Sequence, residues 1–275
     1  MPNRTRRPRR DDALSNALGY FRDLGVREVL LSPRPGEAAA VVPEVPGEPV
    51  ATGSPKTGRA GVAPPEGPAE SRPAEPSAAS SFMDLAPLRA AVASCQLCGL
   101  CRTRTQTVFS DGTGRTRLMF VGEAPGADED ATGVPFVGRA GQLLTKMIEA
   151  GMGLSRQDVY IANVLKCRPP GNRNPEPDEI ASCRPYLDAQ IDLVKPAVLV
   201  ALGKFAAQFL LDTEEPISRL RGRWGARQGI PVMPTYHPSF LLRQPERKKE
   251  AWEDLQQVLK KMGLPVPGKK GEPGA

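Results

Sequence analysis

PAVLVALGKFAAQFLL, residues 196–211, decides the fold. Its first seven residues are apolar without interruption. That is the pattern of a strand covered on both faces. Gly203 ends the run, and the residues through Leu211 read as a helix. The same order recurs along the chain. Leu118–Gly122 (LMFVG) reads as a buried strand and Gly141–Ala150 as a helix. Val159–Val164 reads as a second strand. Asp178–Val194 reads as a helix entered after Asn174-Pro175-Glu176-Pro177, where proline suits the first turn. Ile230–Pro234 reads as a fourth strand and residues 246–261 as the last helix. Strands alternating with helices predict a three-layer α/β/α domain over residues 82–262, around a central, mainly parallel, four-stranded sheet. Ligands bind such sheets beyond the carboxyl ends of the strands. Polar motifs follow all four ends here: GEAPG (122–126), Asn163, Gly203-Lys204 and Tyr236-His237-Pro238.

The flanks have a different composition. Residues 1–32 combine an Arg-rich tail, MPNRTRRPRR, with a short amphipathic helix carrying Leu14, Leu18, Phe21 and Leu24 on one face. These residues can dock a partner or add DNA affinity, or can be a tolerated extension. Residues 33–81 hold 11 Pro and 6 Gly among 49 residues, with no aromatic. Such a segment buries too little apolar surface to offset its ordering entropy, so a disordered linker is expected. Residues 263–275 are expected to be a disordered tail. The net charge of +6 and pI near 9.2 favour a polyanionic partner. No apolar run approaches the ~20 residues of a membrane span, and no apolar segment follows the basic start, as a secretory signal would require. A cytoplasmic monomer is expected, associated with the nucleoid if that polyanionic partner is DNA.

Four cysteines, Cys95, Cys98, Cys167 and Cys183, form a C-x2-C pair followed by two more cysteines, after gaps of 68 and 15 residues. In a reducing compartment, paired cysteines more often hold metal than form disulfides. Brought together, they make an all-thiolate site for a metal or an iron–sulfur cluster. Zinc also accepts four thiolates, but local zinc modules usually keep their pairs within a few tens of residues. Four unrelated buried cysteines are the plainer reading. Cys101 makes an overlapping C-x2-C with Cys98 and is treated as the spare.

GEAPGADEDATGVPFVGRAGQLL (122–144), NVLKCRPPGNRNPEPDE (163–179) and YHPSFLLR (236–243), with this cysteine spacing, together resemble the family 4 uracil-DNA glycosylases, iron–sulfur repair enzymes of bacteria and archaea. The resemblance covers about residues 82–262. It implies a uracil-DNA glycosylase-like fold and hydrolysis of the bond between uracil and deoxyribose, in single- or double-stranded DNA. It also implies a structural 4Fe-4S cluster. The base must leave the stack to be reached. The transition state separates an oxocarbenium-like sugar from a uracil anion. The site therefore needs a donor for the base and a carboxylate or oriented water for the sugar.

His237 is the only histidine, and a lone histidine is ordinarily structural. The resemblance makes it the donor to uracil O2, for which a neutral imidazole suffices. Glu123 is the first choice for orienting the attacking water. The best-known uracil-DNA glycosylases carry an aspartate at the next position, where this chain has Ala124, a small residue as in family 4. Glu129 is the second choice for the water, or else lines the C5 side of the base and excludes thymine's methyl. Asp128, Glu129 and Asp130 otherwise read as a solvated acidic turn. Phe136 resembles the residue that stacks on the flipped base; otherwise it is core. The Asn163 amide can donate to O4 and accept from N3–H, a pattern that cytosine reverses; otherwise it is a strand-end cap. Gly203-Lys204 and His237-Pro238-Ser239 open helices whose N-termini can meet phosphates, Lys204 and Ser239 included. Of the following residues, Leu241 and Arg243 are assigned to the DNA groove, where the family fills the gap left by the base. Arg219, Arg221, Arg223 and Arg227 touch phosphates or form a solvated face.

Two rivals belong to other classes. A covalent uracil-DNA-binding relative would carry a basic, histidine-containing insert after the second strand, and CRPPGNRNPEPDE has no histidine. A non-enzymatic, metal-containing DNA-binding module explains the cysteines and charge, but not the convergence of Glu123, Phe136, Asn163 and His237.

Overall fold

The structure is a computed structural model that describes residues 82–267. The expectations for residues 1–32 and 33–81, and for the tail beyond 267, fall outside the described residues. Helix α1 (Leu85–Ala93) starts at Asp84, whose carboxylate accepts the Ala86 N–H at 3.3 Å. It ends one residue short of Cys95. A long segment then leads to strand β1 (Leu118–Gly122), followed by helices α2 (Ala127–Thr132) and α3 (Arg139–Lys146), with a π turn at Met147–Gly151. Strand β2 (Tyr160–Asn163), helix α4 (Pro177–Val194), strand β3 (Val198–Leu202) and helix α5 (Lys204–Leu211) follow. The chain closes with helix α6 (Ile217–Leu220), strands β4 (Gly225–Arg227) and β5 (Ile230–Thr235), and helices α7 (Pro238–Arg243) and α8 (Lys248–Lys261).

The sheet order is β2-β1-β3-β5-β4. The first four strands are parallel; β4 pairs antiparallel with β5, Ala226 opposite Pro231. The sheet therefore has five strands, not the expected four. The added edge strand, Gly225–Arg227, is three residues long and half-buried at best, so it has no apolar run to betray it. The opposite edge is protected too. Asp111 exchanges both backbone hydrogen bonds with Ile161 of β2, blunting an edge that would otherwise invite pairing.

Side chains alternate between two faces along each strand, and each face carries its own helices. Met119, Val121, Leu199 and Ala201 pack under α1, α4 and α5. Leu118, Phe120, Val198 and Val200 pack under α3, α7 and α8. Every residue of β1, β2 and β3 is buried, which is why these stretches are almost wholly apolar. The described chain also continues past residue 262, where Leu264 and Val266 pack on the second face. All four parallel strands point their carboxyl ends at one rim.

Candidate active site

That rim carries a cleft of about 440 Å³. Glu123 and Ala124 enter it from the end of β1, Asn163 from β2, Lys204 from β3, and His237 and Ser239 from β5. Glu129, Phe136 and Arg243 complete the gathering of expected residues. Four strand ends far apart in sequence thus deliver one site.

His237 is the N-cap of α7. Its Nδ1 accepts the Ser239 N–H at 3.1 Å, with the Ser239 hydroxyl 2.8 Å away. A backbone amide can only donate, so Nδ1 is an acceptor and the neutral ring carries its proton on Nε2. Burial drives the imidazole down to about 4; Arg243 adds to this and Glu129 opposes it. The ring is therefore a neutral donor at physiological pH. Gly203 opposes it with φ 87°, and a Cβ there would stand 2.8 Å from the His237 Cβ. The glycine lets β3 and β5 deliver their loops side by side.

Asn163 is 2% exposed, and its Oδ1 has no hydrogen-bond partner. An orphaned buried acceptor costs about 1–3 kcal/mol, so it marks a place where a ligand donor belongs. Its backbone carbonyl is held at 2.7 Å by the buried Lys166 Nζ, which also donates to Gln190 Oε1. Gln190 in turn donates to the Tyr160 hydroxyl and the Phe109 carbonyl. Phe136 closes the other wall, its ring 5.7 Å from that of His237. A Cβ at Gly122 would lie 2.4 Å from both Asn163 Oδ1 and the Phe136 ring. The glycine that ends β1 lets the amide and the aromatic face the same space.

The two candidate carboxylates differ. Burial pushes Glu123 above the usual carboxylate range, while Lys204 draws it back. Glu129 is already engaged, accepting from Gly126 N–H at 3.0 Å and from Val137 and Gly138 N–H at 2.9 Å each. It staples the loop of the 122–144 segment onto α2. It still lines the cleft, so the staple holds the carboxylate at the wall where the two expected roles would place it. The acidic turn is not simply solvated either. Asp128 is exposed, but Asp130 is 5% exposed and accepts the Thr105 N–H.

A model of the uracil DNA glycosylase superfamily matches residues 109–256. The type-4 uracil-DNA glycosylase of Archaeoglobus fulgidus is 46% identical over 177 residues, covering 61% of this chain and 87% of that protein. That of Thermotoga maritima is 46% identical over 173 residues, covering 61% and 88%. The type-5 enzyme of Mycobacterium tuberculosis is 33% identical over 150 residues, covering 46% and 56%. The chain belongs to the type-4 family of uracil-DNA glycosylases.

In this type-4 family member the cysteines gather on the far side of the Asn163 loop. Cys95, Cys98, Cys101, Cys167 and Cys183 line one pocket, beside Arg104, Lys166 and Tyr186. None is in a disulfide. Arg104 donates to the Cys167 sulfur at 3.1 Å and to the Cys95 carbonyl at 2.8 Å. The Lys166 N–H points at the Cys183 sulfur at 3.3 Å. Cationic and amide donors to sulfur are what ligating thiolates receive. Among the described residues, no three His, Cys, Asp or Glu side chains converge tightly enough to hold a single metal ion. Five thiols lining one pocket, two of them receiving cationic or amide donors, are a donor set that an iron–sulfur group accepts. The donor set therefore fits an iron–sulfur group.

The residues expected to face DNA divide. Lys204 and Arg243 are exposed at the cleft, and Ser239 lines it. Leu241 is 1% exposed and packs beneath the sheet, so it cannot enter a groove. Leu242, 36% exposed, is the neighbouring apolar side chain that faces outward. Arg221 is committed to Asp254 and Glu250, and Arg227 to Asp188. Only Arg219 and Arg223 of that basic stretch are exposed. Sequence reasoning missed Pro169, Asn172 and Arg173, which line the cleft from the segment between Cys167 and α4. The signal was present: the segment follows a predicted ligand and is rich in Arg and Asn.

Proposed function

We propose that this chain flips uracil out of DNA and hydrolyses its N-glycosidic bond, leaving an abasic site for base excision repair. The observation that carries the reading is the unpartnered Asn163 Oδ1, buried opposite a histidine whose Nε2–H is free to donate. Uracil N3–H donates to Oδ1, and the Asn163 amide N–H donates to O4. Cytosine has an acceptor at N3 and a donor at C4, so it meets like against like. Phe136 stacks on the base. As the C1′–N1 bond breaks, its electron pair moves into the pyrimidine, and the His237 Nε2–H donates to O2 as negative charge gathers there. Glu123 stabilises the cationic sugar, orients the water that attacks C1′, and takes the proton the water releases. Cys95, Cys98, Cys167 and Cys183 hold a 4Fe-4S cluster, with Cys101 spare. The cluster supplies a structural cross-link and no redox step. Lys204, Ser239 and Arg243 bind the DNA backbone around the cleft, and Leu242 fills the gap left by the base.

The test is incubation of anaerobically purified protein with single-stranded and duplex DNA carrying uracil, thymine or cytosine, scoring abasic sites. Release from uracil DNA alone is expected, and its absence in cluster-loaded protein at high enzyme overturns the reading. His237→Ala and Asn163→Ala should each lose on the order of a hundredfold or more in rate.

A further inference from the structure

Phe136 has φ 55°, in the left-handed region that a bulky side chain occupies only when its surroundings hold it there. The peptide planes on either side of its Cα are both fixed. The plane after it is held by the Val137 N–H, which donates to Glu129 at 2.9 Å. It is also packed against Gly141, where a Cβ would come within 1.9 Å of the Phe136 carbonyl. The plane before it is held by Arg156, whose Nη2 donates to the Pro135 carbonyl at 2.7 Å. Because a peptide is planar, anchoring the Pro135 oxygen fixes the orientation of the Phe136 N and therefore φ at residue 136.

Arg156 is itself immobilised. Its Nη1 donates to Thr145 Oγ1 of α3 at 2.8 Å, and its Nε to Asp111 Oδ2 at 2.9 Å. The Arg156 and Asp111 side chains are 12% and 20% exposed. One guanidinium thus joins the β2 edge, α3 and the peptide that precedes the stacking ring. Its planar fork serves three acceptors at once, which a lysine ammonium on a flexible stem cannot reproduce in this geometry.

We propose that Arg156 is a positioning residue for base recognition, holding the Phe136 ring in its strained, base-facing conformation without touching the base. The inference rests on the stacking role given to Phe136 above. The test is the inhibition constant of free uracil, together with affinity for uracil-free duplex, in wild type, Phe136→Ala, Arg156→Met and the double variant. Arg156→Met should weaken uracil about tenfold and leave uracil-free duplex affinity unchanged. In the Phe136→Ala background it should add less than about twofold, because the ring it positions is gone. Arg156→Lys, which keeps the positive charge but not the three-way fork, should fall between wild type and Arg156→Met. A full additional loss in the double variant overturns the inference, since Arg156 would then act on the fold at large. If Phe136→Ala alone leaves the uracil constant unchanged, the stacking role falls and the inference with it. Should Arg156→Met fail to fold, Arg156→Lys and Asp111→Ala, which removes the Nε acceptor, carry the same comparison. Unchanged uracil binding in both folded variants overturns the proposal.

Discussion

Ser239 decides which nitrogen of His237 faces the cleft, and burial decides that it is neutral. With its value near 4, against an ordinary 6.5, the imidazole does not change charge near neutral pH. The unfolded chain binds this proton first. The histidine therefore costs the fold stability only as pH falls through that window. Glu123 has the opposite displacement, being raised by burial, and the proposed reaction uses it as a carboxylate. Activity should accordingly stay level on descending through the ordinary histidine range, then fall as Glu123 takes up a proton, at a pH above that of an ordinary carboxylate. A pH profile of kcat/KM on uracil DNA checks this. Glu123→Gln should lose on the order of a hundredfold in rate and abolish that acid limb. A limb near pH 6.5 that survives in Glu123→Gln would assign the titration to His237 and sink the argument.

Helix α7 is six residues long, and its two neighbouring leucines have opposite fates. Leu241→Ala opens a cavity beneath the sheet and should cost about 2–5 kcal/mol in denaturant unfolding. Leu242→Ala should leave stability within about 0.5 kcal/mol. It should instead slow excision from duplex severalfold while sparing single strands, which present no gap to fill. An unchanged ratio of duplex to single-strand rates would remove Leu242 from the groove. Which leucine points inward was not legible in the sequence, because so short a helix lacks the turns that fix its phase. The buried strands were legible, because burial on both faces leaves a run such as Val198–Leu202 no room for polar residues. Strand Gly225–Arg227 was not, because its pairing is a backbone property of an exposed edge. Asn163 and His237 were legible as residues at strand ends. The Glu129 staple was not, since its partners are backbone amides that any sequence would offer.

At the scale of the whole molecule the cysteines tie together parts that the sheet alone leaves separate. Cys95 and Cys98 follow α1, Cys167 follows the Asn163 loop, and Cys183 lies within α4. The segment between Cys167 and α4 lines the cleft through Pro169, Asn172 and Arg173. A cluster on these thiolates, as the proposed function has it, would fix the wall of the cleft that this segment forms. Removing one ligand should loosen that wall first. Cys183→Ala should lose the visible absorption and most of the iron, melt at lower temperature, and bind DNA at least about tenfold more weakly. Its rate at saturating DNA should change much less, because Glu123, His237 and Phe136 hang from β1, β5 and the loop pinned by Arg156. Cys101→Ala should keep its iron. DNA affinity, iron content and saturating rate measured on the same preparations separate the roles. A folded, cluster-free Cys183→Ala that binds DNA as wild type does would mean that the wall stands without its tie. A loss confined to the saturating rate would instead mean that the cluster acts on the pocket itself, through the Lys166 link to Asn163.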